Sequence, residues 1–206
     1  MREQNGAILN GLVLAGGKSV RMGTDKSAMQ WYGMEQQYYM ANLLKLFCNE
    51  VFISKRDATQ IAVGGEFKTI VDTVTGLGPF GAILSAFHFN ADVAWLVVAC
   101  DLPLVDKNTL SYLVKNRNQN AMATTFESSF DGLPEPLITI WEPKSFPILR
   151  EFQSNGYTCP RKVLIRNQNK HVLRPPDPAA LMNVNTPEDV EKAKEIIQQR
   201  NIKATI

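Results

Sequence analysis

The chain has 206 residues, 45% of them hydrophobic and 20% charged, with a formal net charge of +2. This is length for one well-buried domain, and the near-neutral balance excludes a general affinity for nucleic acid. Three cysteines without C-x-x-C spacing and only two histidines argue against a disulfide framework and a zinc site, so any metal is expected to take hard oxygen ligands.

Taken in chain order, strand and helix patterns alternate. Leu12–Leu14 reads as a buried strand that empties into Gly16 and Gly17. Met40, Leu43, Leu44 and Phe47 then fall at i, i+3, i+4 and i+7, the stripe of an amphipathic helix. Val51–Ser54 and Thr69–Val71 are short strands, the second ending in Asp72, and Gly78-Pro79 opens a helix with the stripe Phe80, Ile83, Leu84 and Phe87. Ala94–Ala99 is apolar on both faces, as a central parallel strand is. Asp106 is placed to cap a helix carrying Leu110, Leu113 and Val114. Ala121–Thr125 and Leu137–Trp141 read as later strands. Pro143–Gln153 reads as a helix with the stripe Phe146, Leu149 and Phe152, which Gly156 ends. Val163–Ile165 belongs to a short helix and His171–Leu173 to a short strand. The last helix has Thr186 as N-cap, Pro187 in its first position, Glu188 and Asp189 in its first turn, and Val190, Ala193 and Ile197 on its apolar face.

Alternation of this kind predicts a three-layer α/β/α sandwich on a mostly parallel, Rossmann-like sheet, in one domain spanning 1–206. Ligands of such folds lie beyond the carboxyl ends of the strands. The glycine pair, Asp72 and Asp101 all fall at predicted strand ends, so three distant segments are expected to converge on one crevice. The polar N-terminus lacks the apolar core of a signal peptide, and the longest apolar stretch, near Val93–Cys100, is too short to span a bilayer. The expected compartment is the cytoplasm, with no membrane partner.

The segment from Leu14 to Lys26 carries the chemistry. Gly16 and Gly17 let the backbone approach a bulky anion, and Lys18, Arg21 and Lys26 supply charge for several negative oxygens. Met22 stands where a P-loop needs its second glycine, and Lys18 breaks the dinucleotide fingerprint, so neither common phosphate loop fits. Asp101, where a buried strand emerges in V-A-C-D-L-P, suits a magnesium ligand shared with substrate phosphates; a helix cap or a salt-bridged structural aspartate is the other reading. Asp72 is open to a nucleotide contact or to a turn-forming Asx bond. No Ser-His or Cys-His nucleophile is discernible.

The pattern L-A-G-G-x-S-x-R-M-G-x-D-K resembles the signature loop of nucleotidyltransferases, and most closely that of the molybdenum cofactor guanylyltransferases, the molybdopterin-guanine dinucleotide biosynthesis protein A family. The segments Thr75–Gly81, Glu135-Pro136-Leu137 with Trp141, and Asn183-Val-Asn185-Thr-Pro-Glu-Asp189 are similar to that family's later motifs, with Phe80 replacing a leucine and Ser54 standing where an asparagine is frequent. The resemblance implies transfer of GMP from MgGTP to molybdenum-bound molybdopterin, with release of pyrophosphate. It implies a nucleotide site of Leu14, Ala15, Gly16, Gly17, Lys26, Asp72 and Asp101, catalytic roles for Arg21, Lys26 and Asp101, and Mg²⁺ on Asp101. Asn183 and Asn185 fall on the molybdopterin side, with Glu135-Pro136-Leu137 there too unless Pro136 is merely a strand-edge residue. Residues 11–101 are then the nucleotide and metal half and 102–206 the acceptor half. Transient contact with a molybdoenzyme or a cofactor-insertion protein is a further expectation. A cytidylyltransferase or sugar-phosphate relative, an NTP hydrolase and a non-catalytic NTP sensor are the alternatives. Serine at position 54 leaves the base unassigned by residues alone.

Overall fold

Apolar runs of four to eight residues alternate with helical stripes along the chain, and in the computed structural model they build one seven-stranded sheet. The structure describes residues 7–15, 27–56, 66–74 and 76–204. The strands are β1 (Leu9–Leu14), β2 (Val51–Lys55), β3 (Lys68–Val71), β4 (Ala94–Ala99), β5 (Ala123–Glu127), β6 (Pro134–Trp141) and β7 (Lys170–Leu173). The helices are α1 (Gln36–Lys45), α2 (Pro79–Phe89), α3 (Lys107–Lys115), α4 (Ser145–Ser154), α5 (Pro160–Arg166) and α6 (Pro187–Ala204), and a short 3-10 turn covers Pro178–Leu181.

The sheet order is β3-β2-β1-β4-β6-β5-β7. The first four strands pair in parallel, which brings the ends of β1, β2, β3 and β4 to one edge. The predicted stripes face the core: Phe80, Ile83, Leu84 and Phe87 of α2 are wholly buried, as are Met40 and Leu44 of α1 and Leu110 and Leu113 of α3. One apolar cluster fills each side of the sheet, and a third, smaller one joins Leu104, Val184 and Ala193.

Glycine is required at two points of the G-P-F-G segment. Gly78 caps α2 with φ +54°, in the left-handed region, and a Cβ on Gly81 would stand 2.5 Å from the carbonyl oxygen of Val74. Gly156, at φ +78°, closes α4: its N–H reaches Gln153 O at 2.9 Å and that of Tyr157 reaches Phe152 O at 2.9 Å.

The reading of Pro136 as a strand-edge residue does not hold. β6 starts three residues earlier than its pattern suggests and runs antiparallel between β4 and β5, inside the sheet. A proline is tolerated there because the β4 ladder ends at Val98↔Ile138, short of Pro136, and the β5 ladder is irregular between Thr125 and Glu127.

Candidate active site

The sheet edge where β1 to β4 end carries the described site residues in spatial sequence. At its outer end Ser54, the fourth residue of β2 and 1% exposed, donates from its hydroxyl to Asp72 Oδ1 at 2.9 Å. The Asp72 N–H donates to Lys55 O at 2.9 Å, so the aspartate is fixed at both backbone and side chain as β3 ends. Burial pushes the Asp72 carboxyl above its ordinary range, opposed by the Ser54 hydrogen bond and the Arg56 charge. Beside it the Lys55 ammonium donates to Gln37 Oε1 at 2.7 Å, which anchors the end of β2 to the start of α1.

Leu14 closes β1, and Ala15 behind it is buried. Gly16, Gly17, Lys18, Arg21 and Lys26 lie outside the described residues. Asp101 follows two residues after β4, half-buried, in a turn that leads to α3. The N–H of Val184 donates to Asp101 O at 2.8 Å, which brings the asparagine segment against this turn. Val184 is buried in the small cluster, whereas Asn183 is half-buried and Asn185 exposed.

β6 starts at the same edge, next along from β4. The Glu135 carbonyl accepts the hydroxyls of Thr125 and Thr139 at 2.7 and 2.5 Å, and its nearly buried carboxylate accepts Arg161 Nη2 at 2.5 Å. Arg161 Nη1 reaches Asp131 Oδ2 at 2.8 Å, which ties the β5–β6 hairpin to α5.

Nothing in the sequence pointed to Arg161, or to Tyr32 and Arg200, both of which grip the backbone beyond Asp101. Each is a lone polar residue on an ordinary helix or loop, and only the fold shows what it meets. Among the described residues no group of three or more His, Cys, Asp or Glu is placed to enclose an ion. A single oxygen donor at a strand exit suits a hard cation whose other ligands are phosphate oxygens and water.

The parallel β3-β2-β1-β4 half-sheet thus has Asp72 and Asp101 at its exits, with a separate polar segment bonded to the turn after β4. The chain superposes on the crystal structure of molybdopterin-guanine dinucleotide biosynthesis protein A from Archaeoglobus fulgidus with a TM-score of 0.76, at 22% identity, over 92% of this chain and 99% of that one, a likeness of fold. The chain belongs to the MobA-like NTP transferase domain family, whose model matches residues 11–172. It is 34% identical over 182 residues to the molybdenum cofactor biosynthesis bifunctional protein of Synechocystis, covering 88% of this chain and 52% of that one, so it spans about half the length of that relative. It is 23% identical over 207 residues to a protein of Chloroflexus aggregans named probable molybdenum cofactor guanylyltransferase, covering 95% and 98% of the two chains.

Proposed function

We propose that the chain transfers GMP from MgGTP to the terminal phosphate of molybdenum-bound molybdopterin, releasing pyrophosphate and forming the guanine dinucleotide cofactor. The observation that carries this reading is the Val184–Asp101 hydrogen bond, which fastens the N-V-N segment to the exit of the last parallel strand. It makes one continuous edge with Ser54 and Asp72 at one end and the asparagines at the other. Three strand steps separate β3 from β4, roughly 14 Å at ordinary spacing, enough for a nucleoside with its α-phosphate.

In this reading Asp72 accepts the N1–H and 2-amino group of guanine, with Ser54 holding the carboxylate in orientation. Gly16 and Gly17 are assigned to binding the triphosphate, and Arg21 and Lys26 to offsetting the charge that grows on the departing pyrophosphate. Asp101 would hold Mg²⁺, which when bound supplies further charge neutralisation at the phosphates. Asn183 and Asn185 orient the acceptor. An acceptor phosphate oxygen forms a bond to the α-phosphorus as the bond from that phosphorus to the bridging oxygen of pyrophosphate breaks. That oxygen is ionised at neutral pH, so no general base is needed, and catalysis is positioning plus electrostatics.

In the same reading residues 11–101 form a nucleotide half and 102–206 an acceptor half. We place the reaction in the cytoplasm, with transient contact to a molybdoenzyme or insertion protein that takes the product. No helix among the described residues is long and apolar enough to cross a membrane.

Serine at position 54 favours testing a cytosine donor alongside. A ligand at a hundredfold excess over its Kd raises apparent stability by about 2.7 kcal/mol, which is about 5–10 °C in Tm for a chain of this size. MgGTP is expected to give that shift, and MgCTP or MgATP at equal concentration much less. Equal shifts would remove the guanine assignment, and a larger one with MgCTP would replace it by cytosine.

A further inference from the structure

The turn from Asp101 to Val105 carries two internal hydrogen bonds and three from other parts of the chain. Its internal bonds, Leu102 N–H to Ala99 O and Val105 N–H to Leu102 O, are long, at 3.4 and 3.3 Å. Three external donors from three separate parts of the chain grip it. Val184 N–H takes Asp101 O at 2.8 Å, the Tyr32 hydroxyl takes Pro103 O at 2.8 Å, and Arg200 Nη1 takes Leu104 O at 2.7 Å.

Each grip leads back to a different part of the molecule. Tyr32 precedes α1 and stacks on Tyr39 of that helix, with ring centroids 4.1 Å apart. Burial, and next the neighbouring Tyr39, raise the Tyr32 phenol above its ordinary range, so its hydroxyl remains a donor at any working pH. Arg200, on α6, spends its other nitrogen on Asp177 Oδ2 at 2.5 Å, and Asp177 Oδ1 accepts the Ala179 N–H at 2.9 Å. Leu104 and Val184 share the small apolar cluster with Ala193 of α6 and with Trp31. The turn is thus clamped between the chain that follows residues 16–26 and the helix that follows the asparagine segment.

We propose that Tyr32 and Arg200 are positioning residues, which fix the Asp101–Val105 turn so that Asp101 keeps its place between the nucleotide and the acceptor. The catalytic part of this statement rests on the proposed guanylyl transfer; the clamp itself does not. Neither side chain needs to touch substrate. Each acts on a backbone carbonyl two or three residues from Asp101, and a misplacement of the order of 1 Å costs about a hundredfold in rate.

The test uses the whole chain with Tyr32→Phe, which removes one hydroxyl, and with Arg200→Ala and Arg200→Lys. Amide hydrogen exchange over 101–105 is expected to quicken at least about tenfold in Tyr32→Phe and Arg200→Ala, while β1 and β4 keep the wild-type rate. Arg200→Lys, with one donor group for two partners, is expected to recover part of the protection. In steady-state transfer from GTP, kcat is expected to fall about tenfold or more with KM for GTP within threefold. Unchanged exchange in both Tyr32→Phe and Arg200→Ala overturns the proposal whatever the nucleotide chemistry. Quickened exchange with kcat within twofold of wild type overturns the positioning role. A wild-type chain that transfers nothing from GTP counts against the proposed reaction, while the exchange result still decides the clamp.

Discussion

The Asp72 carboxyl pairs a functional demand with a cost in stability. Burial raises its pKa, so the folded chain holds this proton to higher pH than the unfolded chain does. The stability the group contributes is therefore present in acid and is lost as pH rises through the folded pKa, leaving a fixed penalty at neutral pH. Asp72→Asn keeps an oxygen to accept from Ser54 and removes the charge. At pH 8 it should raise Tm by about 1–3 °C, an advantage that shrinks as pH falls toward about 4. It should also weaken GTP binding about tenfold, the loss expected when a charged acceptor becomes neutral. Melting curves across pH and calorimetry with GTP check both; a variant that loses stability at pH 8 would contradict the burial argument. Asp101→Asn should leave the circular dichroism spectrum intact and reduce transfer by about 10²-fold or more at saturating Mg²⁺. Activity within threefold of wild type would end the metal assignment. These two carboxylates were legible in the sequence because each follows a β-rich run. Ser54 was legible only as a departure from an expected residue; its role emerges from the β2–β3 pairing that brings it to Asp72.

At the level of elements, the start of α6 links a helix cap to the segment proposed to hold the acceptor. Thr186 Oγ1 accepts the Asp189 N–H at 3.2 Å, and Asp189 Oδ2 accepts the N–H groups of Asn185 and Thr186, each at 3.0 Å. This reciprocal box holds the Asp189 carboxyl below its ordinary range, chiefly through the Asn185 N–H, and the protection is lost as pH falls through that lowered value. Asp189→Ala should cost about 1 kcal/mol, or about 2–4 °C in Tm, and weaken acceptor binding while sparing GTP. Separate calorimetric titrations with GTP and molybdopterin decide it: a loss confined to GTP would put Asn185 on the wrong side. The T-P-E-D start was readable because capping is local chemistry. The direction of β6 was not, since alternating burial looks the same for parallel and antiparallel neighbours. Its early start at Pro134 was hidden for a related reason, as the irregularity opposite it in β5 is a property of the pair. Arg161, bridging Asp131 and Glu135, depends on the packing of α5 beside a hairpin tip and leaves no trace in spacing.

Across the whole molecule, the proposed reaction runs along the edge where the parallel half of the sheet ends. β3 and β2 supply the Ser54–Asp72 pair, β1 ends at Leu14, Asp101 follows β4, and the N-V-N segment is bonded to the turn beyond it. The alternation of strands and helices made this edge foreseeable, because parallel strands must all end on one side. What holds the turn beyond Asp101 comes from residues far apart in the chain, Tyr32, Val184 and Arg200 with Asp177 behind it, and only the folded chain brings them together. The proposed reaction requires one edge to hold both a guanine donor and a molybdopterin acceptor. The most direct measurement follows label from the α-phosphate of GTP, and separately of CTP, with molybdenum-bound molybdopterin present or omitted. Label from GTP is expected in a dinucleotide product, matched one to one by pyrophosphate, dependent on the acceptor and nearly absent with CTP. Equal or greater incorporation from CTP, or pyrophosphate released from GTP without acceptor, would contradict it.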